Sequence, residues 1–135
     1  MGIRGTKLNN MLTKQSVKNY LQKEGFTPKE LDSGFAFKYQ FKFFIIELDI
    51  KDPNYLRIIM PNIYNVSLNL DIKKVFKACN EATKSTKVAK VFMIDDNDVW
   101  ATYEIIVDST PELDDLIPRG LNILLAAHEN FYKNI

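Results

Sequence analysis

The sequence predicts an α+β domain: an antiparallel β-sheet flanked by helices, in the order α-β-β-β-α-β-β-α. Three observations lead there. Apolar and polar residues alternate with period two from Phe35 to Ile50, and two further alternating runs follow later in the chain. Three other segments carry apolar residues at helical spacing. No βαβ unit, internal repeat or low-complexity stretch interrupts this plan, which excludes a wound parallel sheet.

The first helix is expected over residues 11–24, with Val17, Tyr20 and Leu21 on one face, Asn9 or Asn10 as N-cap and Gly25 as the stop. Phe26 to Gly34 contains Pro28 and reads as a loop. Phe35 to Ile50 is too long for one strand, so a tight turn is expected near Gln40 to Lys42, although neither Gly nor Asn stands there. Beyond it, Phe44, Ile46, Leu48 and Ile50 fall on one face. Lys51-Asp52-Pro53-Asn54 is a turn, and a third strand from Tyr55 to Met60 should end at Pro61. Asp71 caps a second helix with Ile72, Val75, Phe76, Cys79 and Ala82 on one stripe and Lys73, Lys74, Lys77 and Lys84 opposite. Val88–Ile94 and Val99–Val107 form a hairpin around Asp95-Asp96-Asn97-Asp98. Ser109-Thr110-Pro111-Glu112 supplies an N-cap hydroxyl for a last helix. Its stripe is Leu113, Ile117, Leu121, Leu124, His128 and Phe131, with a kink or restart at Pro118 and Gly120.

The 135 residues, 46% of them hydrophobic, fit a single domain spanning 1–135 with a core that needs no staples. One cysteine excludes internal disulfides and four-cysteine zinc sites, and one histidine excludes a site built on two. No apolar stretch approaches a membrane span and no secretory core precedes the first helix, so a cytoplasmic protein without a membrane partner is expected. The net charge of +1 hides an asymmetry: 16 basic against 8 acidic residues up to position 90, and 2 against 9 thereafter. Such asymmetry can mark a nucleic-acid face, but the lysines of the second helix have no arginine or aromatic interleaved for base stacking, and a solvated helix face explains them more simply.

No constellation carries catalysis. Asp95 to Asp98 lacks the Gly and Glu of a calcium loop: Trp100 and Ile106 occupy those positions. Cys79 and His128 would make a nucleophile dyad only if brought together, and both lie on apolar stripes. GxSxG, Walker A and GxGxxG are absent. The expectation is therefore no enzyme, no metal and no cofactor. Met1-Gly2-Ile3-Arg4-Gly5-Thr6 fits the loose myristoylation pattern, a short match that chance supplies often.

The informative feature is an excess of apolar residues on strands. If Phe44, Ile46, Leu48, Leu56, Ile58, Met60, Val91, Met93, Tyr103 and Ile105 face the helices, the opposite face still carries Phe43, Ile45, Tyr55, Ile59, Phe92, Trp100 and Ile106. A sheet with one wet face alternates more cleanly than this. These seven residues are expected to form a partner-binding surface covered by a second subunit or a client segment; the competing reading has a loop or the first helix fold over them.

Six segments taken in order carry a resemblance: Phe37-Lys38-Tyr39, Asp52-Pro53-Asn54-Tyr55-Leu56-Arg57, Pro61-Asn62-Ile63-Tyr64, Ala78-Cys79-Asn80-Glu81-Ala82, Lys87-Val88-Ala89-Lys90-Val91 and Asp95-Asp96-Asn97-Asp98-Val99-Trp100-Ala101. Across nearly its full length the chain resembles the YbjN-like family of bacterial sensory transduction regulators, which shares the fold of type III secretion chaperones. The resemblance implies a helix-flanked antiparallel sheet, a homodimer, no catalytic residues, and a surface that binds an extended segment of a protein or peptide client. The chain departs from those chaperones in being nearly neutral where they are acidic. A non-enzymatic, chaperone-like or regulatory adaptor is the function expected, with a nucleic-acid-linked regulator using the basic second helix as the alternative.

Overall fold

The alternation that begins at Phe35 resolves into two strands joined by a two-residue turn. In the structure, a computed structural model that describes residues 11–135, Gln40 and Phe41 both adopt positive φ (49° and 65°) between β2 (Gly34–Tyr39) and β3 (Lys42–Asp49). That is the backbone of a primed hairpin turn, whose twist matches the flanking strands. Pairing of the two strands from Gly34↔Glu47 to Tyr39↔Lys42 holds it without a glycine.

Ahead of this hairpin lies α1 (Lys14–Lys23). Thr13 caps it in a reciprocal box with Ser16, so the N-cap is Thr13; the expected caps Asn9 and Asn10, like the Gly2–Thr6 pattern, lie outside the described residues. Gly25 ends the helix at φ 86°, a conformation glycine adopts without strain. The expected loop also contains a short edge strand, β1 (Lys29–Leu31), paired with β2.

Three further expectations change along the middle of the chain. Ile50 leaves the core stripe because the chain turns at Asp49, whose Oδ1 accepts the Lys51 N–H at 2.9 Å, and the side chain is exposed. β4 (Asp52–Asn65) runs straight past Pro61. The ladder to β6 breaks between Met60 and Tyr64, with Asn62 at φ 53°, so the missing proline N–H falls where no ladder bond is formed. After a 3₁₀ turn (Val66–Leu68), α2 (Ile72–Ser85) starts at the Asp71 cap as expected. Its buried face is Val75, Ala78, Cys79 and Ala82, which leaves Ile72 and Phe76 exposed.

β5 (Ala89–Met93) and β6 (Asp98–Ile106) form the expected hairpin, and α3 (Leu113–Tyr132) closes the chain as one uninterrupted helix. Its N-cap is Glu112, without a side-chain bond, while the Thr110 N–H donates to Asp108. The position expected to break α3 has another use. A Cβ on Gly120 would meet the Tyr103 ring at 2.7 Å and Ile58 Cδ1 at 2.9 Å, so glycine there allows helix and sheet to approach closely.

The sheet is antiparallel throughout, in the order β1-β2-β3-β4-β6-β5. One core joins Val17 and Leu21 of α1, Val75 and Ala82 of α2 and Ile117 and Leu124 of α3 to the strand residues Phe44, Ile46, Leu56, Ile58, Met60, Val91 and Tyr103. Leu48, Met93 and Ile105 pack at its margin. Among the described residues no helix is long and apolar enough to cross a membrane.

Candidate functional site: the sheet face opposite the helices

Because strand side chains alternate, the residues between those core positions project from the other face. The register lines them up: Ala36, Ile45, Ile59, Thr102 and Lys90 cross five strands in one row, Glu47, Arg57 and Glu104 form the next, Trp100 pairs with Phe92, and Tyr55 pairs with Ile106. All seven residues singled out in the sequence therefore share this face. Their burial differs. Phe43 is 55% exposed and Ile106 68%, while Ile45, Tyr55, Phe92 and Trp100 are half-buried. Ile59 is 1% exposed, yet it does not belong to the helix-side core cluster. Thr102, its neighbour on β6, is also sealed.

The same rows hold charges that the apolar pattern left unnoticed. Arg57 Nη1 donates to Glu47 Oε1 at 3.1 Å, and Lys90 Nζ meets Glu104 Oε2 at 2.9 Å. The hydroxyls of Thr102 (2.9 Å) and Tyr55 also donate to Glu104. Burial pushes the Glu104 carboxyl up, but the hydrogen bonds from Tyr55, Lys90 and Thr102 outweigh it and hold the group at about 2. Tyr55 is pushed up to about 12, by burial first and by its bond to Glu104 second. Two enclosed donors on this face, Arg57 Nε and Trp100 Nε1, have no acceptor among the described residues. The sequence signal was parity: Arg57 stands between Tyr55 and Ile59, and Glu104 between Thr102 and Ile106, all two residues apart.

The face thus divides along the strands. Phe43, Ile45, Phe92 and Trp100 make an apolar end around Ile59, followed by the neutralised charge lattice. Beyond the lattice a groove of ≈ 870 Å³ opens between Tyr55, Arg57, Glu47, Ile50, Pro53 and Leu12.

Cys79 and the acidic hairpin turn are placed apart from this face, while His128 lines a pocket with Phe43 at its edge. Cys79 is buried on α2, and burial pushes its thiol up to about 11, which suppresses the thiolate at neutral pH. His128 on α3 lies 4.7 Å from the Tyr132 ring, and burial, with Lys42 nearby, lowers its pKa. Asp95 Oδ1 accepts the N–H groups of Asn97 and Asp98, an Asx turn that organises the hairpin. Among the described residues no group of three or more His, Cys, Asp or Glu is arranged to hold a metal ion.

Comparison with solved structures identifies relatives in fold. An uncharacterized protein from Methanothermobacter thermautotrophicus superposes with a TM-score of 0.63 at 14% identity, over 89% of this chain and 94% of that one. YbjN from E. coli, a candidate transcription regulator, superposes with a TM-score of 0.58 at 12% identity, over 88% of each chain. The fold is YbjN-like. No protein-family profile matches the sequence. No curated protein matches it either.

Proposed function

We propose that this protein is a non-enzymatic protein-binding module, a chaperone-like or regulatory adaptor that works as a cytoplasmic homodimer. The outer sheet face receives an extended, apolar segment of a protein partner. The observation that carries this reading is the apolar end of that face, where Phe43 and the half-buried Ile45, Phe92 and Trp100 lie outside the core that the three helices complete. Large aromatics of this kind are the usual anchors of protein interfaces. The sheet carries no charge excess there, so binding should depend on apolar contact and change little with salt.

The test is Phe43→Ser combined with Trp100→Ser, both at positions that leave the core intact; Ile59 is sealed and unsuitable for substitution by serine. Trp100 is the only tryptophan, so its emission reports the face directly. A partner captured from the native host should shift that emission when added to the purified wild type and should be lost from the double variant. Equal capture by both proteins would refute the reading.

A second reading is favoured by one observation: Lys73, Lys74 and Lys77 on α2 have no ionic partner among the described residues. A nucleic-acid-linked regulator would bind duplex DNA through them, with an affinity that falls steeply as salt rises.

A further inference from the structure

At the end of the sheet beyond Ile59 the strands part. β3 pairs with β2 as far as Lys42, but its ladder to β4 stops at Ile45↔Ile59. On the other side of β4 the ladder to β6 breaks between Met60 and Tyr64, where Asn62 stands at φ 53° and Pro61 has no N–H to offer. The opening between β3 and this bulge is a pocket of ≈ 470 Å³. Lys42, Asn62 and His128 are its polar members, and Phe43, Met60 and Ile63 supply its apolar wall. α3 brings His128 to it from the helix side, and the Tyr132 hydroxyl, which donates to the Ile63 carbonyl, ties that end of α3 to the bulge.

The charge at this pocket is of one sign. Lys42 has no acidic partner among the described residues. It stands close enough to His128 to add to the effect of burial in lowering that group's pKa. Tyr132, its ring 4.7 Å from His128 on the same helix, and Tyr64 of β4, packed against Tyr132, are neutral at physiological pH. Glu129, next along α3, is engaged by Lys133 at 3.9 Å. A lysine ammonium without counter-charge, an imidazole beside it and an apolar wall together fit one ligand class: an apolar group that ends in a carboxylate.

We infer that this pocket receives the free C-terminus of the bound segment, its last side chain against Phe43, Met60 and Ile63 and its carboxylate between Lys42 and His128. Continuity with the outer face selects that source. Phe43 belongs both to the apolar end of the face and to the pocket wall, so a segment laid across the face reaches the pocket without leaving the surface. α3 closes the helix side, so a chain that enters there does so with its end. One carboxylate against one lysine adds little salt dependence to an otherwise apolar contact. A bound carboxylate favours the imidazolium, so capture of the segment takes up a proton at His128. The inference rests on the protein-binding reading and adds which end of the segment is read.

His128 is the only histidine, so its NMR titration in the full chain reads the pocket without interference. The probes are N-acetylleucine, which copies an apolar C-terminal residue, its neutral amide, and hexanoate, a free acid of similar size. N-acetylleucine should raise the His128 pKa by roughly one pH unit. It should bind more tightly at about pH 5.5 than at about pH 7.5. The amide should do neither. Lys42→Gln should weaken N-acetylleucine binding by about ten-fold and, in the free protein, raise the His128 pKa by removing the lysine's repulsion. Trp100→Ser, outside the pocket, should leave the titration unchanged. Hexanoate should bind no better than N-acetylleucine; binding about ten-fold tighter would mean a site for a free acid and overturn the peptide source. No response of His128 to N-acetylleucine, or equal responses to acid and amide, overturns the carboxylate site. The protein-binding reading fails separately, if the Phe43 and Trp100 double variant keeps its captured partner.

Discussion

Glu104 offers the sharpest test of the outer face, because its environment converts into a pH dependence of known sign. The carboxyl is held at about 2 against an ordinary value of 4.5, and its side chain is only 19% exposed. At roughly 1.4 kcal/mol for each pH unit of difference, linkage gives about 3 kcal/mol of stability from this one group. A folded-state value below the unfolded one means that the native state prefers the charged form. The stabilisation is therefore complete above pH 4.5 and is lost as pH falls from there through about 2. Glu104→Gln imitates the protonated state: the amide oxygen still accepts from Tyr55, while the attraction of Lys90 is gone. Urea unfolding of wild type and variant at matched pH isolates the effect, since every other carboxylate titrates in both. At pH 7 the variant should be less stable by about 3 kcal/mol, with an unchanged dependence on urea, and the gap should close toward pH 2. A gap that stays constant with pH, or no gap at pH 7, would refute the assignment of Tyr55, Lys90 and Thr102 as the groups that keep Glu104 ionised.

Three further outcomes are expected. Gly120→Ala should destabilise by about 1–2 kcal/mol in urea, because the clash with Tyr103 and Ile58 exceeds the gain in helix propensity; a more stable variant would contradict the close approach. Cys79 should react with thiol reagents only slowly at pH 8 until urea exposes it, and Cys79→Ala should cost about 1 kcal/mol through lost packing; rapid native-state labelling would reopen a catalytic role. Thr83→Val removes both bonds that cover Val91 at the sheet edge, so it should lose about 1–2 kcal/mol and associate more readily by light scattering.

The parts of the fold written in periodicity were legible. Parity placed Phe44, Ile46 and Ile58 inward and Phe43, Ile45 and Trp100 outward, because a strand has only two faces. Departures arose where tertiary contact overrode a local preference. The turn expected near Gln40 to Lys42 does form, at Gln40 and Phe41, although their side chains carry no turn signal and strand pairing on both sides holds them in the left-handed region. Pro61 reads as a terminator, but a bulge absorbs its missing donor and β4 continues. Gly120 and Pro118 read as a break, although the glycine serves packing across the helix–sheet contact. On the outer face, parity put the apolar residues together and passed over the charged ones, since Glu47, Arg57, Lys90 and Glu104 taken singly look like ordinary solvated residues. Only the register shows that they neutralise one another.

That neutralisation decides what the outer face is able to select. Charges alternate strand by strand, Glu47 on β3, Arg57 on β4, Glu104 on β6 and Lys90 on β5, and each is paired within the chain. Such a lattice has no long-range field, so it neither draws a highly charged partner from a distance nor rewards counterion release. At close range, a segment bound as proposed would present apolar groups to Phe43, Ile45 and Trp100 and an acceptor to Arg57, whose Nε has none among the described residues. In the proposed role, attraction would be left to apolar area, and the paired lattice would set the register in which a segment fits.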